Sequence, residues 1–154
     1  MELLNRVLSF YKIPSPADKP ETDKERFKRV RIISFLTATL GYGVYYVCRL
    51  SMNVIRKPMV EEGFLSETQI GIIGSCLFFT YAIGKLCNGF IADRSNVKRL
   101  MATGLLVSAL VNLILGFTDS FFLFALFWGI NGFFQSMGAA SGVVSLSRWF
   151  DSSN

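Results

Sequence analysis

Histidine is absent from this chain, which removes the commonest general base and metal ligand. Cysteine occurs three times, at Cys48, Cys76 and Cys87, always inside apolar sequence and never with C-x-x-C spacing. These cysteines read as small buried hydrophobes rather than disulfides or ligands. Serines are frequent, but none has an activating base in view, so no catalytic residue, metal site or cofactor is expected and an enzyme is the class least supported. Charge is also sparse, at 18% of 154 residues, and no acid lies well inside any long apolar run. The net charge of +5 is no sign of nucleic-acid binding. Eight of the sixteen Lys and Arg residues (Arg6, Lys12, Lys19, Lys24, Arg26, Lys28, Arg29, Arg31) precede Ile32, and the rest mostly flank apolar runs, where membrane topology accounts for them.

What the chain has in abundance is apolar sequence: 51% hydrophobic residues, 15 phenylalanines and a mean hydropathy of +0.42. This is the profile of an integral membrane protein. Four runs, about 32–55, 70–92, 100–117 and 121–146, reach or approach the ~20 residues that a helix needs to cross the hydrocarbon. Membrane strands would be about half as long and would alternate in polarity. The fold class is therefore all-α, with four transmembrane helices in residues 32–154 and a tail over residues 1–31. In that tail Leu3, Leu4, Val7, Leu8 and Tyr11 recur at helical spacing, which suggests a short amphipathic helix on the membrane surface. Pro14, Pro16 and Pro20 break the pattern, and the basic cluster Lys24–Arg31 leads into the first span. The tail and the loop carrying Arg94, Lys98 and Arg99 are the most basic connections, whereas Thr118-Asp119-Ser120 has no basic residue. The positive-inside rule puts the N-terminus in the cytoplasm. So short a third loop makes spans 3 and 4 antiparallel neighbours.

Polar residues inside the spans mark the candidate site. Arg49 lies in the first span, where a guanidinium at the bilayer centre costs about 3 kcal/mol on the insertion scale, so something must face it. Helical spacing puts Tyr42, Tyr46, Arg49 and Asn53 on one face, suited to an anion in a wet cavity. The bland alternative is an arginine that snorkels to an interface. In span 2, Lys85 follows Tyr81 by one turn and precedes Asn88 by another. Neither cation has an acid within reach inside the spans, which favours an anionic ligand over an ion pair. Span 4 carries Asn131 and Gln135 one turn apart, and Gln135 can cap a neighbouring helix or reach a substrate. Its pairs Gly138/Gly142 and Ser136/Ala140 suit close helix packing. Asn112 in span 3 is most simply an interhelical hydrogen bond.

The loop Gly89-Phe90-Ile91-Ala92-Asp93-Arg94-Ser95-Asn96-Val97-Lys98-Arg99 resembles the signature loop between helices 2 and 3 of the major facilitator superfamily. Together with Tyr45-Tyr46-Val47-Cys48-Arg49, Tyr81-x-x-x-Lys85 and Gly132-Phe133-Phe134-Gln135-x-x-Gly138, it is similar to one branch, the organophosphate:phosphate antiporters. That branch includes bacterial glycerol-3-phosphate and hexose-phosphate transporters, and the similarity covers about residues 30–150. The resemblance implies that Arg49 binds phosphate, a role for which a fixed, fork-shaped donor is well suited. It implies that Tyr42, Tyr46, Tyr81, Lys85 and Gln135 line the path or adjust during transport. Gly89, Asp93, Arg94, Lys98 and Arg99 would form a cytoplasmic gating loop. The expected partners are a phosphate ester, inorganic phosphate and the lipid of a bacterial inner membrane.

Two departures from the branch stand out. The family has twelve helices, while this chain stops after the fourth, so it reads as an N-terminal fragment whose partner includes the missing C-terminal helices. The branch commonly has Gly-Trp-Pro-Pro after the glutamine of helix 4, where this chain has Gly138-Ala139-Ala140-Ser141. A membrane sensor for the same sugar phosphates is the main alternative to a transporter. A self-contained oligomeric four-helix exporter of cations would need an intramembrane acid and fits less well.

Overall fold

The computed structural model describes residues 2–12 and 24–149, and every described regular element is an α-helix: α1 (Glu2–Tyr11), α2 (Lys24–Glu61), α3 (Glu67–Arg94), α4 (Val97–Leu115) and α5 (Phe121–Trp149). Helices α2 to α5 are each long and apolar enough to cross a membrane. The prolines expected to break the tail lie outside the described residues. Helix α2 begins at Lys24 and runs through the basic cluster Lys24–Arg31 into the first span. The cluster's lysines, arginines and glutamate are good helix formers, and nothing in it stops a helix. At 38 residues α2 is about 57 Å long, well beyond the ~30 Å hydrocarbon, so it projects past it.

Local chemistry sets the helix ends. Pro58 inside α2 lacks an N–H and removes one internal bond, yet the helix continues to Glu61. It then closes in a Schellman motif: Gly63 takes a left-handed φ of 70°, Gly63 N–H donates to Val60 O at 3.1 Å, and Phe64 N–H donates to Met59 O at 2.9 Å. Helix α3 starts on a capping box, in which Gln69 N–H donates to Ser66 Oγ at 3.2 Å and Ser66 N–H donates to Gln69 Oε1 at 2.9 Å. Asn96 caps the start of α4. The box starts span 2 three residues before the apolar run at Ile70.

Helix α5 is the centre of the assembly, with half of its most apolar window buried against α3, α4 and α2. Glycines let α3 and α5 approach closely. A Cβ on Gly132 would collide with Leu77 O and with Thr80 Oγ1 at 2.5 Å, and one on Gly84 would lie 2.6 Å from Ser136 Oγ. Across this seam Thr80 Oγ1 donates to Gly129 O at 2.6 Å, and Asn88 Nδ2 donates to Ser136 Oγ at 2.7 Å. Gly138 makes room for the Tyr45 ring, whereas a Cβ on Gly142 would meet nothing within 4 Å. The close-packing glycines thus include Gly84, Gly104, Gly132 and Gly138. Asn112 does bond between helices, accepting from Ser51 Oγ of α2 at 2.7 Å.

Two apolar clusters bracket the middle of the bundle. Ile73, Leu77, Phe124 and Trp128 are buried near the α2–α3 connection, and Ala92, Leu100, Met137 and Ala140 near the α3–α4 connection. Outward-facing side chains are overwhelmingly apolar, as with Val54, 76% exposed, and Phe117, 84% exposed. Such surface is stable against lipid or other apolar helices and not against water.

Candidate functional site

Helix α2 divides its residues between two faces. Tyr45 and Met52 are buried toward the bundle. Tyr45 Oη donates to Met101 O at 2.6 Å, and its ring packs over Gly138. Turning along the helix from that seam brings up Tyr42, Tyr46 and Arg49 as the sequence periodicity predicts. The Tyr42 and Tyr46 rings meet edge to face with centroids 5.2 Å apart.

Arg49 is held between aromatic rings of α3. Its guanidinium carbon lies 4.8 Å from the Tyr81 ring centroid and 5.3 Å from that of Phe78. Among the described residues no carboxylate pairs with it. The charge therefore lies against two rings of the neighbouring span. Tyr42, Tyr45, Tyr46, Arg49, Tyr81 and Gln135 surround a cavity of about 10 Å³, too small for any ligand. Gln135 is buried, and its Nε2 has no hydrogen-bond partner among the described residues. A buried amide donor left unpaired beside a guanidinium is suited to an anion or its water. Asn131, one turn earlier, is also buried with both amide atoms unpaired. A larger cavity of about 410 Å³, also lined by Arg49, lies between α2 and α3 with Asn53, Arg56, Ser75 and Phe78 in its walls.

The structure thus gathers Tyr42, Tyr46, Arg49, Tyr81 and Gln135 from three helices. It does not bring Lys85 to that cluster. Lys85 is exposed one turn further along α3, while Asn88 turns away from it into the α3–α5 seam. Tyr45 was missed as a wall of the cluster. Its place in the run Tyr45-Tyr46 hid which tyrosine faces the bundle, and Gly104 and Gly138, small residues on two other helices, were the available hint.

The loop residues are placed as follows. Asp93, Arg94 and Lys98 are exposed, and Gly89 is half-buried. Arg148, at the far end of α5, caps α3 by donating to Ala92 O at 3.3 Å and to Asp93 O at 2.8 Å. Arg99 caps α1, donating to Phe10 O with its guanidinium carbon 4.5 Å from the Phe10 ring centroid. Asn96 N–H donates to Tyr11 O at 2.8 Å, and the Tyr11 and Thr103 hydroxyls are 2.7 Å apart. The short tail helix is therefore docked on this loop, with Leu4 and Leu8 exposed. No group of His, Cys, Asp and Glu among the described residues has metal-ligand geometry.

Comparison with known proteins agrees with this architecture. The family model of the Major Facilitator Superfamily matches residues 23–154. The chain is 34% identical to the membrane sensor protein UhpC of Salmonella typhimurium, over 94% of this chain and 33% of that protein. It is 37% identical to a probable hexose phosphate transport protein of Chlamydia pneumoniae, over 84% of this chain and 29% of that protein. It is 32% identical to the glycerol-3-phosphate transporter of Bacillus subtilis, over 80% of this chain and 29% of that protein. The chain spans about a third of the length of these curated relatives. No solved structure gives a significant match.

Proposed function

We propose, since this chain belongs to the Major Facilitator Superfamily, that it forms the N-terminal wall of a secondary transporter exchanging an organic phosphate ester for inorganic phosphate by alternating access. The observation that carries this reading is Arg49, held inside a span between Tyr81 and Phe78 with no carboxylate partner among the described residues. A phosphate dianion needs a donor that never deprotonates and that can bond two oxygens at once, and arginine supplies both. Tyr42, Tyr46, Tyr81 and Gln135 complete the first contacts from hydroxyl and amide groups. Lys85 is a second cation toward the α3–α4 connection, where it guides the anion to Arg49.

Alternating access also needs a gate. Gly89, Asp93, Arg94, Lys98 and Arg99 are assigned to it, on the side of the membrane that carries the basic tail. By the positive-inside rule that side is the cytoplasm, and the membrane is the bacterial inner membrane. Four helices make one wall of a pathway, and further helices are needed for the half against which this one rocks. That the chain spans about a third of its relatives supports this reading. A second reading, binding of the same ester for sensing without exchange, is supported by the similarity to a membrane sensor protein.

The test is uptake of radiolabelled inorganic phosphate into proteoliposomes preloaded with glycerol 3-phosphate or glucose 6-phosphate. It is run on the 154-residue chain and on the chain extended through its downstream reading frame. Exchange that falls at least about tenfold with Arg49→Lys and is lost with Arg49→Ala supports the antiporter. Ester binding that Arg49→Ala abolishes, with no exchange by either form, supports the sensor. Exchange that survives both substitutions rejects the assigned role of Arg49.

A further inference from the structure

We propose a second anion station on α2, at Asn53 and Arg56, which receives phosphate from the α2–α3 side before it reaches Arg49. This inference rests on the phosphate-exchange reading and adds a site to it.

Room is the first argument. The space enclosed by the tyrosines, Arg49 and Gln135 is about 10 Å³, so no phosphate fits there in this conformation. A ligand-sized space touching Arg49 is the separate cavity of about 410 Å³ that Asn53 and Arg56 also line, a volume typical of small-molecule sites. Arg49 lines both cavities, so an anion in the larger one already meets the residue that binds it next.

Charge is the second argument. Arg49, Asn53 and Arg56 are spaced by four and three residues, which puts them in one row up the helix. Arg49 and Arg56 are seven residues apart, about 10 Å along the axis, too far for one phosphate to lie on both and suited to successive binding. No acid lines this cavity. The facing wall on α3 includes Gly71, Gly74 and Ser75 beside the apolar Ile70, Leu77 and Phe78, and a Cβ on either glycine would meet nothing within 4 Å. That wall leaves the row of donors open, and Ser75 is committed to its own helix through Gly71 O at 2.9 Å.

A gate follows from the same geometry. Arg56 is paired with Glu67 in the first turn of α3, and both side chains are more than half exposed. An exposed pair of this kind holds weakly, so a phosphate dianion displaces the single carboxylate and takes its bonds to Arg56. Glu67 thus competes with the incoming anion and returns when it has passed inward.

The experiment uses the protein at its full natural length in oriented membrane vesicles of both senses, with radiolabelled inorganic phosphate as the probe. For each variant KM is measured from the α2–α3 side and from the opposite side, and their ratio is compared with that of the unmodified protein. Arg56→Gln is expected to raise the ratio about tenfold, the low end for losing one charge-assisted hydrogen bond. Glu67→Gln is expected to lower it, because it frees Arg56. Glu67→Gln also carries the test alone if Arg56→Gln does not reach the membrane. A ratio unchanged in both variants, or both variants losing activity alike, would mean that the pair only braces α2 against α3, and the station is rejected. Arg49→Gln separates the two levels. If it abolishes exchange while the ratio ignores Arg56 and Glu67, only the station fails. If exchange persists without Arg49, the phosphate reading and the station fall together.

Discussion

The guanidinium carbon of Arg49 lies 4.8 Å from the centroid of the Tyr81 ring, so the intramembrane charge of α2 is stacked on an aromatic side chain of α3. That contact offsets part of the desolvation of the cation without neutralising it. A carboxylate there would satisfy the arginine and leave it closed to another anion, whereas a ring holds it in place with its N–H donors available. Tyr81→Phe keeps the ring, and Tyr81→Leu removes it. A cation–π contact of about 1 kcal/mol predicts roughly fivefold weaker phosphate binding for Tyr81→Leu and a much smaller change for Tyr81→Phe. Equilibrium binding of radiolabelled phosphate checks this, and equal losses in the two variants would assign the effect to the hydroxyl.

Arg49→Lys keeps the charge but loses the planar fork. If phosphate is held through two parallel N–H bonds, the loss of one predicts at least about a tenfold fall in kcat/KM for exchange. Unchanged exchange by the lysine variant would show that a point charge suffices.

Tyr45 holds α2 to the bundle through the Gly138 gap and its bond to Met101 O. Gly138→Val should clash with the ring and lower the Tm of the detergent-solubilised protein, since overpacking costs about 1–3 kcal/mol. Combining it with Tyr45→Ala should recover part of the loss. A double variant no better than the sum of the single ones would contradict direct packing between the two.

Asn88 ties α3 to α5 through Ser136 and Phe133 O. Polar contacts between membrane helices average only about 0.6 kcal/mol, so Asn88→Ala should give a small drop in Tm and leave the fold intact. Unfolding at growth temperature would indicate a larger role.

The tail helix depends on the loop for its C-terminal caps, because α1 has no basic residue in its own last turn. Arg99 and Asn96 fill that role. A helix of 10 residues is marginal alone. Arg99→Gln together with Tyr11→Phe should release α1 and speed tryptic cleavage at Arg6 and Lys12 in vesicles. Cleavage no faster than in the unmodified protein would show that α1 is held by lipid alone.

How far the site could be read from the chain varied with the kind of interaction. The row Tyr42, Tyr46 and Arg49 follows from a period of 3.6 residues and needs no partner to be recognised. Lys85 obeyed the same periodicity and still stands outside the cluster. Spacing orders residues on a helix but does not say how that helix is rotated against its neighbours. Asn88 shows the same limit, since its partner Ser136 is 48 residues away. Arg148 and Arg99 cap helices to which they are not adjacent in sequence, and nothing local announces either bond.

By itself the sequence determined the all-α class and the number of described membrane-length helices, because lipid leaves the backbone no other way to satisfy its polar groups. It also determined that a charge would lie unpaired by any nearby acid within the first span. Only the tertiary structure decided that Tyr81 and Phe78 flank that charge, that Tyr45 faces the bundle and Lys85 does not join the cluster, and that the room beside Arg49 opens toward Arg56. Those outcomes depend on which face each helix turns inward, and glycines such as Gly132 and Gly138 set that rotation by where they let another helix approach.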